Sequence, residues 1–351
     1  MRLGKSFDKA VLEALLQVLK DKDESSLVRV KAADSLVRLD KSSDKAVLDA
    51  LLQVLKDKDE SSLVRVKAAD SLVRLGKSSD KAVIEALLQA LKDEDSLVRR
   101  EAVDLLVRLG KADKNVIDAL LLALKDEDSS VRRQAADSLG RLGKADKNFI
   151  DALLLALKDK NSLVRLEAAD TLGRVGKADK TVLEALLQDL KDEDSDVRGK
   201  AADSLGRLRK ADKKVIEALL LALKDEYYDV RLQAADSLGR VGKEDKAVLE
   251  ALIKALKDED SRVRLEAADS LGNLWHDKPD TELIDYLKHP LSGYRTAAAY
   301  ALKHKKSISQ KTRDEIIRLK DTDKRPWVRL GAWKAFELLQ EKKEKEQKEN
   351  Q

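Results

Sequence analysis

The sequence predicts an all-α protein, a right-handed α-solenoid of about ten stacked two-helix repeats. Three observations predict it. The dipeptide Val-Arg, or a degenerate copy, recurs with arginines at Arg29, Arg65, Arg99, Arg132, Arg165, Arg198, Arg231, Arg264, Arg295 and Arg329. Their spacings are 36, 34, five of 33, then 31 and 34, and a fixed period in this range marks stacked repeats. The apolar residues between them follow helical spacing, with no strand-like alternation and no proline before Pro279. Finally, 39% of the residues are charged and only 3% aromatic, which suits thin Ala/Leu layers under a charged surface.

Residues 111–143 are the clearest unit. Its first helix follows Asp113, an N-cap type, and carries Val116, Ile117, Leu120, Leu121, Ala123 and Leu124. The second starts after Ser129, also an N-cap type, with Val131, Ala135, Ala136, Leu139 and Leu142 on its buried side. It stops at Gly143, where a left-handed residue is easiest. The first helix is apolar around much of its circumference, so one hairpin cannot cover itself. Stacked copies build a continuous core.

In chain order, residues 1–7 read as the remnant of a preceding repeat, because Arg2-Leu3-Gly4-Lys5-Ser6 matches Arg74-Leu75-Gly76-Lys77-Ser78. Eight regular repeats fill 8–274. The first two, 8–43 and 44–79, differ only at Glu13/Asp49 and Asp40/Gly76. Both carry two extra residues before Val-Arg, which predicts a longer hairpin loop. Gly140, Gly173, Gly206, Gly239 and Gly272 fall inside second helices, where glycine costs about 1 kcal/mol against alanine; close helix approach is the expected compensation. Val37, Val73 and Val107 stand there in the first three repeats, which predicts looser spacing. Residues 275–340 read as two degenerate capping repeats, with helices at Asp280–Lys288, Ser292–Lys303, Gln310–Lys320 and Trp327–Leu339. Residues 341–351 are a charged tail.

The residues Leu-Lys-Asp-Glu-Asp, Val-Arg and Ala-Ala-Asp-Ser-Leu-Gly make the unit resemble a HEAT-like repeat of the bacterial type also found in phycobilin lyase subunits. The resemblance covers nearly the whole chain. It implies a ladder between repeats, formed by the Asp after the first helix and the Arg of Val-Arg. The matching residues include Asp93 with Arg99, Asp126 with Arg132, Asp159 with Arg165, and Asp192 with Arg198. It also implies that second helices line a concave binding face. Two kinds of enzyme share such repeats, phycobilin lyases and HEAT-like DNA glycosylases, and an enzyme of that kind is the third functional reading.

Composition narrows the classes. With no cysteine, thiol chemistry and disulfides are excluded. No signal peptide opens the chain and no apolar run reaches transmembrane length, so a cytoplasmic location is expected, with no membrane partner. The three histidines, His276, His289 and His304, lack helical ligand spacing, so no metal and no cofactor is expected. No nucleophile elbow, phosphate loop or Cys/His pair is present. The expectation is a non-catalytic scaffold, adaptor or sensor that binds a protein partner.

Candidate contacts follow from the second helices. The position after the ladder arginine is exposed on a helical wheel and varies. Arg133, Leu166, Leu232 and Leu265 occupy it, and Tyr227 and Tyr228 replace the usual Asp-Ser nearby. Tyrosine is favoured at interface hot spots, so these six residues form the candidate partner patch. Leu122, Leu155 and Leu221 stand on the opposite face where other repeats have Gln, and ordinary helix packing is expected to cover them. Along the second helices, Asp/Arg pairs such as Asp104/Arg108 and Asp137/Arg141 read as weak i,i+4 ion pairs. The stretch 303–334 carries eleven basic and four acidic residues. Lys305, Lys306, Lys311, Arg313 and Arg325 lie in it, with Trp327 and Trp333 expected to close the last core layer. This is the alternative reading, nucleic-acid binding through phosphate neutralisation and stacking.

Overall fold

The computed structural model describes residues 2–39, 45–58, 60–75, 81–109, 114–143, 147–176, 178–210, 212–242, 245–303, 305 and 308–349. Among the described residues there are twenty helices and no strand. The chain divides into two compact units, residues 1–171 and 172–351. In the first, α1 (Arg2–Lys20), α3 (Lys45–Lys56), α5 (Lys81–Ala90), α7 (Lys114–Ala123) and α9 (Lys147–Ala156) are the first helices of successive repeats. Their partners are α2 (Ser26–Arg38), α4 (Ser62–Arg74), α6 (Ser96–Arg108), α8 (Ser129–Leu142) and α10 (Ser162–Val175), and α10 carries the division.

In the second unit the first helices are α11 (Lys180–Asp189), α13 (Lys213–Ala222), α15 (Lys246–Ala255), α17 (Asp280–Leu287) and α19 (Gln310–Thr322). The second helices are α12 (Ser195–Arg207), α14 (Tyr228–Val241), α16 (Ser261–Leu274), α18 (Ser292–Lys303) and α20 (Pro326–Glu349). Within each unit, second helices pack against second helices and first against first. The architecture is an all-α solenoid, as the period predicts. Residues 2–6 run without a break into α1, and residues 341–349 extend α20.

Local chemistry sets the helix ends. Asp95, Asp128, Asp194 and Asp260 cap second helices by accepting the backbone N–H two residues on. The cap is therefore Asp128, and Ser129 is the first helical residue. Asp113 lies outside the described residues, but its counterparts Asp179, Asp212 and Asp245 cap first helices. Gly143, with φ 65°, ends α8 in the left-handed region as predicted. The two extra residues of the early repeats do not lengthen the loop. They extend the first helix, which has 12 residues in α3 against 10 in α5.

The core is the two-layer interior. In the repeat at 114–142, Val116, Leu120, Ala123, Leu124, Val131, Ala135, Ala136 and Leu139 are buried, and Ile117, Leu121 and Leu142 are half-buried. The helical glycines meet the expectation of close approach. A Cβ at Gly173, Gly206 or Gly239 would stand within 2.9 Å of the Cα of Ser204, Ser237 or Ser270 respectively. These serines are buried, and the Ser237 and Ser270 hydroxyls donate to the carbonyls of Ala202 and Ala235 in the preceding repeat, at 2.8 and 2.9 Å. Ser71 is also buried, but its hydroxyl finds no partner among the described residues. Val37 stands in place of glycine on the helix before it.

Candidate functional site

The ladder is the frame on which any surface site is mounted. The arginine of one repeat forks onto the aspartate of the next, not onto the aspartate of its own. Arg99 reaches Asp126 through Nε and Nη2, both at 2.8 Å, and Arg132 reaches Asp159 at 2.6 and 2.7 Å. Arg198 to Asp225 and Arg231 to Asp258 repeat the fork at 2.8–2.9 Å. Arg65 pairs with Asp93, and Arg29 with Glu60. The third nitrogen, Nη1, donates to backbone carbonyls of the arginine's own loop, as Arg132 does to Asp126 and Glu127 and Arg165 to Asp159. Asp192 accepts from the Asp194 N–H at 2.9 Å. Burial, the largest single influence, would raise the Asp159 and Asp225 carboxyls; the hydrogen bonds from Arg132 and Arg198, those from the Asn161 and Tyr227 N–H groups, and the attraction of the nearby cations together outweigh it and hold them low. Bidentate, charge-assisted bonds of this kind are strong and directional.

A second ionic strip runs along the second helices. The predicted i,i+4 pairs exist; in the first unit Arg108–Asp104 and Arg141–Asp137 are long, both at 3.9 Å, while in the second Arg207 pairs closely with Asp203 and Arg240 with Asp236. In the first unit the shorter contacts cross to the preceding repeat: Arg74 to Asp34 at 3.0 Å, Arg108 to Asp70 at 3.2 Å, and Arg141 to Asp104 at 2.6 Å. In the second unit Arg240 reaches Asp203 at 3.1 Å. These charges therefore tie repeats together.

The candidate patch divides between the units. Arg133 is exposed and lines a polar groove with Arg100, Glu101, Asp104 and Gln134. Leu166 is half-buried. In the second unit Tyr227 is 51% and Leu265 37% exposed, while Tyr228 and Leu232 are half-buried. The helical wheel overstates the exposure of Leu166 and Leu232, because neighbouring repeats cover part of that face. Tyr227 occupies the N-cap position of α14 and makes no side-chain cap bond. The Arg198 guanidinium lies 5.4 Å from its ring centroid. Tyr228 is covered by Arg262, whose guanidinium lies 3.5 Å from its ring centroid. Arg262 also hydrogen-bonds Asp260, and that bond first of all holds the Asp260 carboxyl at about 2. Beside them is a cavity of about 190 Å³, lined by Leu256, Arg264, Leu265, Ala268, Thr296 and Trp327 among others.

Other apolar residues stand in the open. Leu122, Leu155 and Leu221 are exposed at 66%, 59% and 69%, so helix packing does not cover them. Leu27, Leu63, Leu97 and Leu163 are exposed at the second position of α2, α4, α6 and α10. The sequence reading missed this row. Its signal was an apolar residue recurring at the repeat period outside the buried stripe.

In the basic stretch, Lys311 and Arg325 are exposed, and Arg313 and Lys305 are half-buried. Lys306 and His304 lie outside the described residues. Arg318 pairs with Glu315, Lys320 with Asp321 and Lys303 with Asp269. The tryptophans do not close the core: Trp327 is half-buried at the cavity and Trp333 is exposed. Among the described residues no His, Cys, Asp and Glu side chains gather as a metal site, and no helix is long and apolar enough to cross a membrane.

Comparison with known proteins agrees with this geometry. The chain resembles importin beta with a TM-score of 0.64 and 15% identity, over 94% of this chain and 52% of that one. It resembles Kap95p, in a structure concerned with Kap95p binding to RanGDP, with a TM-score of 0.63, 14% identity, and coverage of 94% and 50%. It thus spans about half the length of either. The Escherichia coli protein YibA gives a TM-score of 0.55 and 23% identity, over 77% of this chain and 96% of that one. A search of curated protein sequences returned no match. The sequence profile of HEAT repeats matches residues 12–102, 84–148, 117–205, 150–220 and 216–303. By that match, and by the paired helices it describes, the chain belongs to the HEAT-repeat family.

Proposed function

We propose that this chain is a non-catalytic scaffold that grips a protein partner on the second-helix face of residues 172–351, around Tyr227, Tyr228, Leu232 and Leu265. One observation carries the reading. Tyr227 sits where α6, α8, α12 and α16 place a capping aspartate, and it caps nothing. A lost cap costs about 1 kcal/mol, and a half-exposed tyrosine recovers little of that by packing. Folding gives no reason for the exchange; an aromatic anchor for a partner does. Kap95p, a structural neighbour, engages RanGDP, which supports binding as the use of the fold. The basic stretch supports nucleic-acid binding less well, because several of its cations are already paired.

The test is a double variant, Tyr227→Ala with Leu265→Asp, both at exposed positions. Thermal unfolding should stay close to that of the parent chain, while crosslinked capture of the partner from source cells should be lost. Unchanged capture by the folded variant would defeat the proposal.

A further inference from the structure

The ladder has a vacant rung. Arg264 occupies the ladder position of α16, and its Nη1 donates to the carbonyls of Asp258 and Glu259 at 2.7 and 2.9 Å, as in the other rungs. The guanidinium is therefore held in the ladder orientation. In Arg99, Arg132, Arg198 and Arg231 the Nε and Nη2 edge meets a carboxylate of the next repeat. Here the residue at the aspartate position is His289. His289 keeps the loop function of the aspartate, because its Nδ1 accepts from the Leu291 N–H at 3.1 Å, as Asp258 Oδ1 accepts from Asp260 at 2.9 Å. Its ring is stacked on Tyr294 at 4.0 Å. It brings no carboxylate, and Arg264 has no acidic partner among the described residues. The ladder resumes one repeat later, where Arg295 forks onto Asp323 at 2.7 and 3.2 Å.

Arg264 also lines the cavity of about 190 Å³ described above, with Leu256, Leu265, Ala268 and Trp327 as apolar walls. The regular ladder arginines up to Arg231 are buried, but Arg264 is only half-buried. Arg262, the other cation of the lining, is committed to Asp260 and Tyr228. The site thus offers one oriented guanidinium edge beside an apolar recess. The repeats on either side specify what fits that edge: a carboxylate, held by two parallel N–H bonds.

We infer that the vacant rung at Arg264 is a docking site for an acidic peptide segment of a protein partner. The segment supplies the carboxylate that His289 withholds and seats an adjacent apolar side chain in the cavity. This rests on the partner-binding reading above and names its chemistry. A guanidinium left without its counter-ion at a repeat junction costs stability that Asp at position 289 would restore, so the substitution makes sense as a binding device.

The experiment titrates the full chain with a doubly capped Leu-Asp-Leu tripeptide and follows the Arg264 Nε–H signal by NMR, assigned through its absence in Arg264→Met. Saturable shifts are expected, with affinity falling roughly tenfold or more for the capped Leu-Asn-Leu tripeptide, since the charge-assisted bonds are lost. His289→Asp should close the rung internally, raise the unfolding temperature and abolish peptide binding. Four results would overturn the inference: no response to the peptide, an equal response to the Asn tripeptide, an equal response to acetate alone, or undiminished binding by folded His289→Asp. Capture of the partner separates this from the broader reading. If His289→Asp still captures a partner that Tyr227→Ala with Leu265→Asp loses, the scaffold stands and the rung proposal falls. If the tripeptide binds as described but the Tyr227 and Leu265 variant keeps its partner, the reverse holds.

Discussion

Replacing Glu266 with glutamine exposes a cost that the solenoid carries on its second-helix face. Glu266 lies on α16, half-buried, near Asp236 of α14 and Asp269 of its own helix, with Arg240 and Lys303 as the neighbouring cations. Burial first, then those two carboxylates, push its carboxyl from the ordinary 4.5 up to about 7. At about 1.4 kcal/mol per tenfold change, the shift corresponds to roughly 3 kcal/mol of penalty on the ionised form. The residue is partly open to solvent, and screening reduces this to on the order of 1–2 kcal/mol. The sign follows from proton linkage. Between 4.5 and about 7 the folded state binds a proton that the unfolded state has released, so this group's contribution to stability falls as pH rises through that window. Above it the penalty is complete. Glutamine removes the charge and has a precedent at the equivalent position four repeats earlier, where Gln134 donates to Asp104 of the preceding repeat at 3.3 Å; Asp236 is the equivalent acceptor. Thermal unfolding by far-UV circular dichroism should place Glu266→Gln about 1–3 °C above the parent chain near pH 8. Near pH 5 the two should nearly coincide. An equal difference at both pH values would refute the reasoning, because the gain would then come from packing and not from an ionised carboxylate.

Three further outcomes are expected. Arg132→Met should deprive the half-buried Asp159 of its arginine and cost about 1.5–3 kcal/mol at that repeat junction, read as lost amide-exchange protection confined to α7 through α10; uniform loss along the chain would contradict it. Gly206→Ala should destabilise by about 1–3 kcal/mol in urea unfolding, because the new Cβ meets the Ser237 hydroxyl, its Cβ at 2.7 Å and its Cα at 2.9 Å; adding Ser237→Gly removes the first two contacts and should recover part of the loss. Tyr227→Asp should restore the missing cap, stabilise the chain by about 1 kcal/mol in thermal unfolding, and weaken partner capture.

Much of the fold was legible because the repeat writes the same physics ten times. The Val-Arg period located every second helix, and the apolar spacing separated the two layers. Boundaries were less legible. Asp128 and Ser129 are both capping types, and only the backbone shows which accepts the N–H. Whether two inserted residues extend a helix or a loop depends on tertiary room, which the early repeats supply to α1 and α3. The candidate surface was partly legible. Tyr227 stood out as a break in a repeated pair, and it is exposed. Leu166 and Leu232 looked open on an isolated helix but are half-covered by the adjoining repeat, which a one-helix wheel omits. Ser204, Ser237 and Ser270 gave no sign of their importance, since a serine hydroxyl declares its acceptor only when the neighbouring carbonyl is in place. The vacant rung was visible as His289 in the wrong place, but its meaning needed the geometry of the filled rungs.

The glycines Gly173, Gly206 and Gly239 meet Ser204, Ser237 and Ser270 between second helices and make each of those junctions a matched lock. Gly206 receives Ser237, and Gly239 receives Ser270; each repeat carries the serine for the unit before it and the glycine for the unit after. Copies can therefore be excised, duplicated or exchanged among those with glycine, and the joint re-forms at the cut. The first three repeats, with Val37, Val73 and Val107 there, follow another convention. Such a chain can change length by whole modules while its seams stay sealed, so reach can be altered without redesigning the interior.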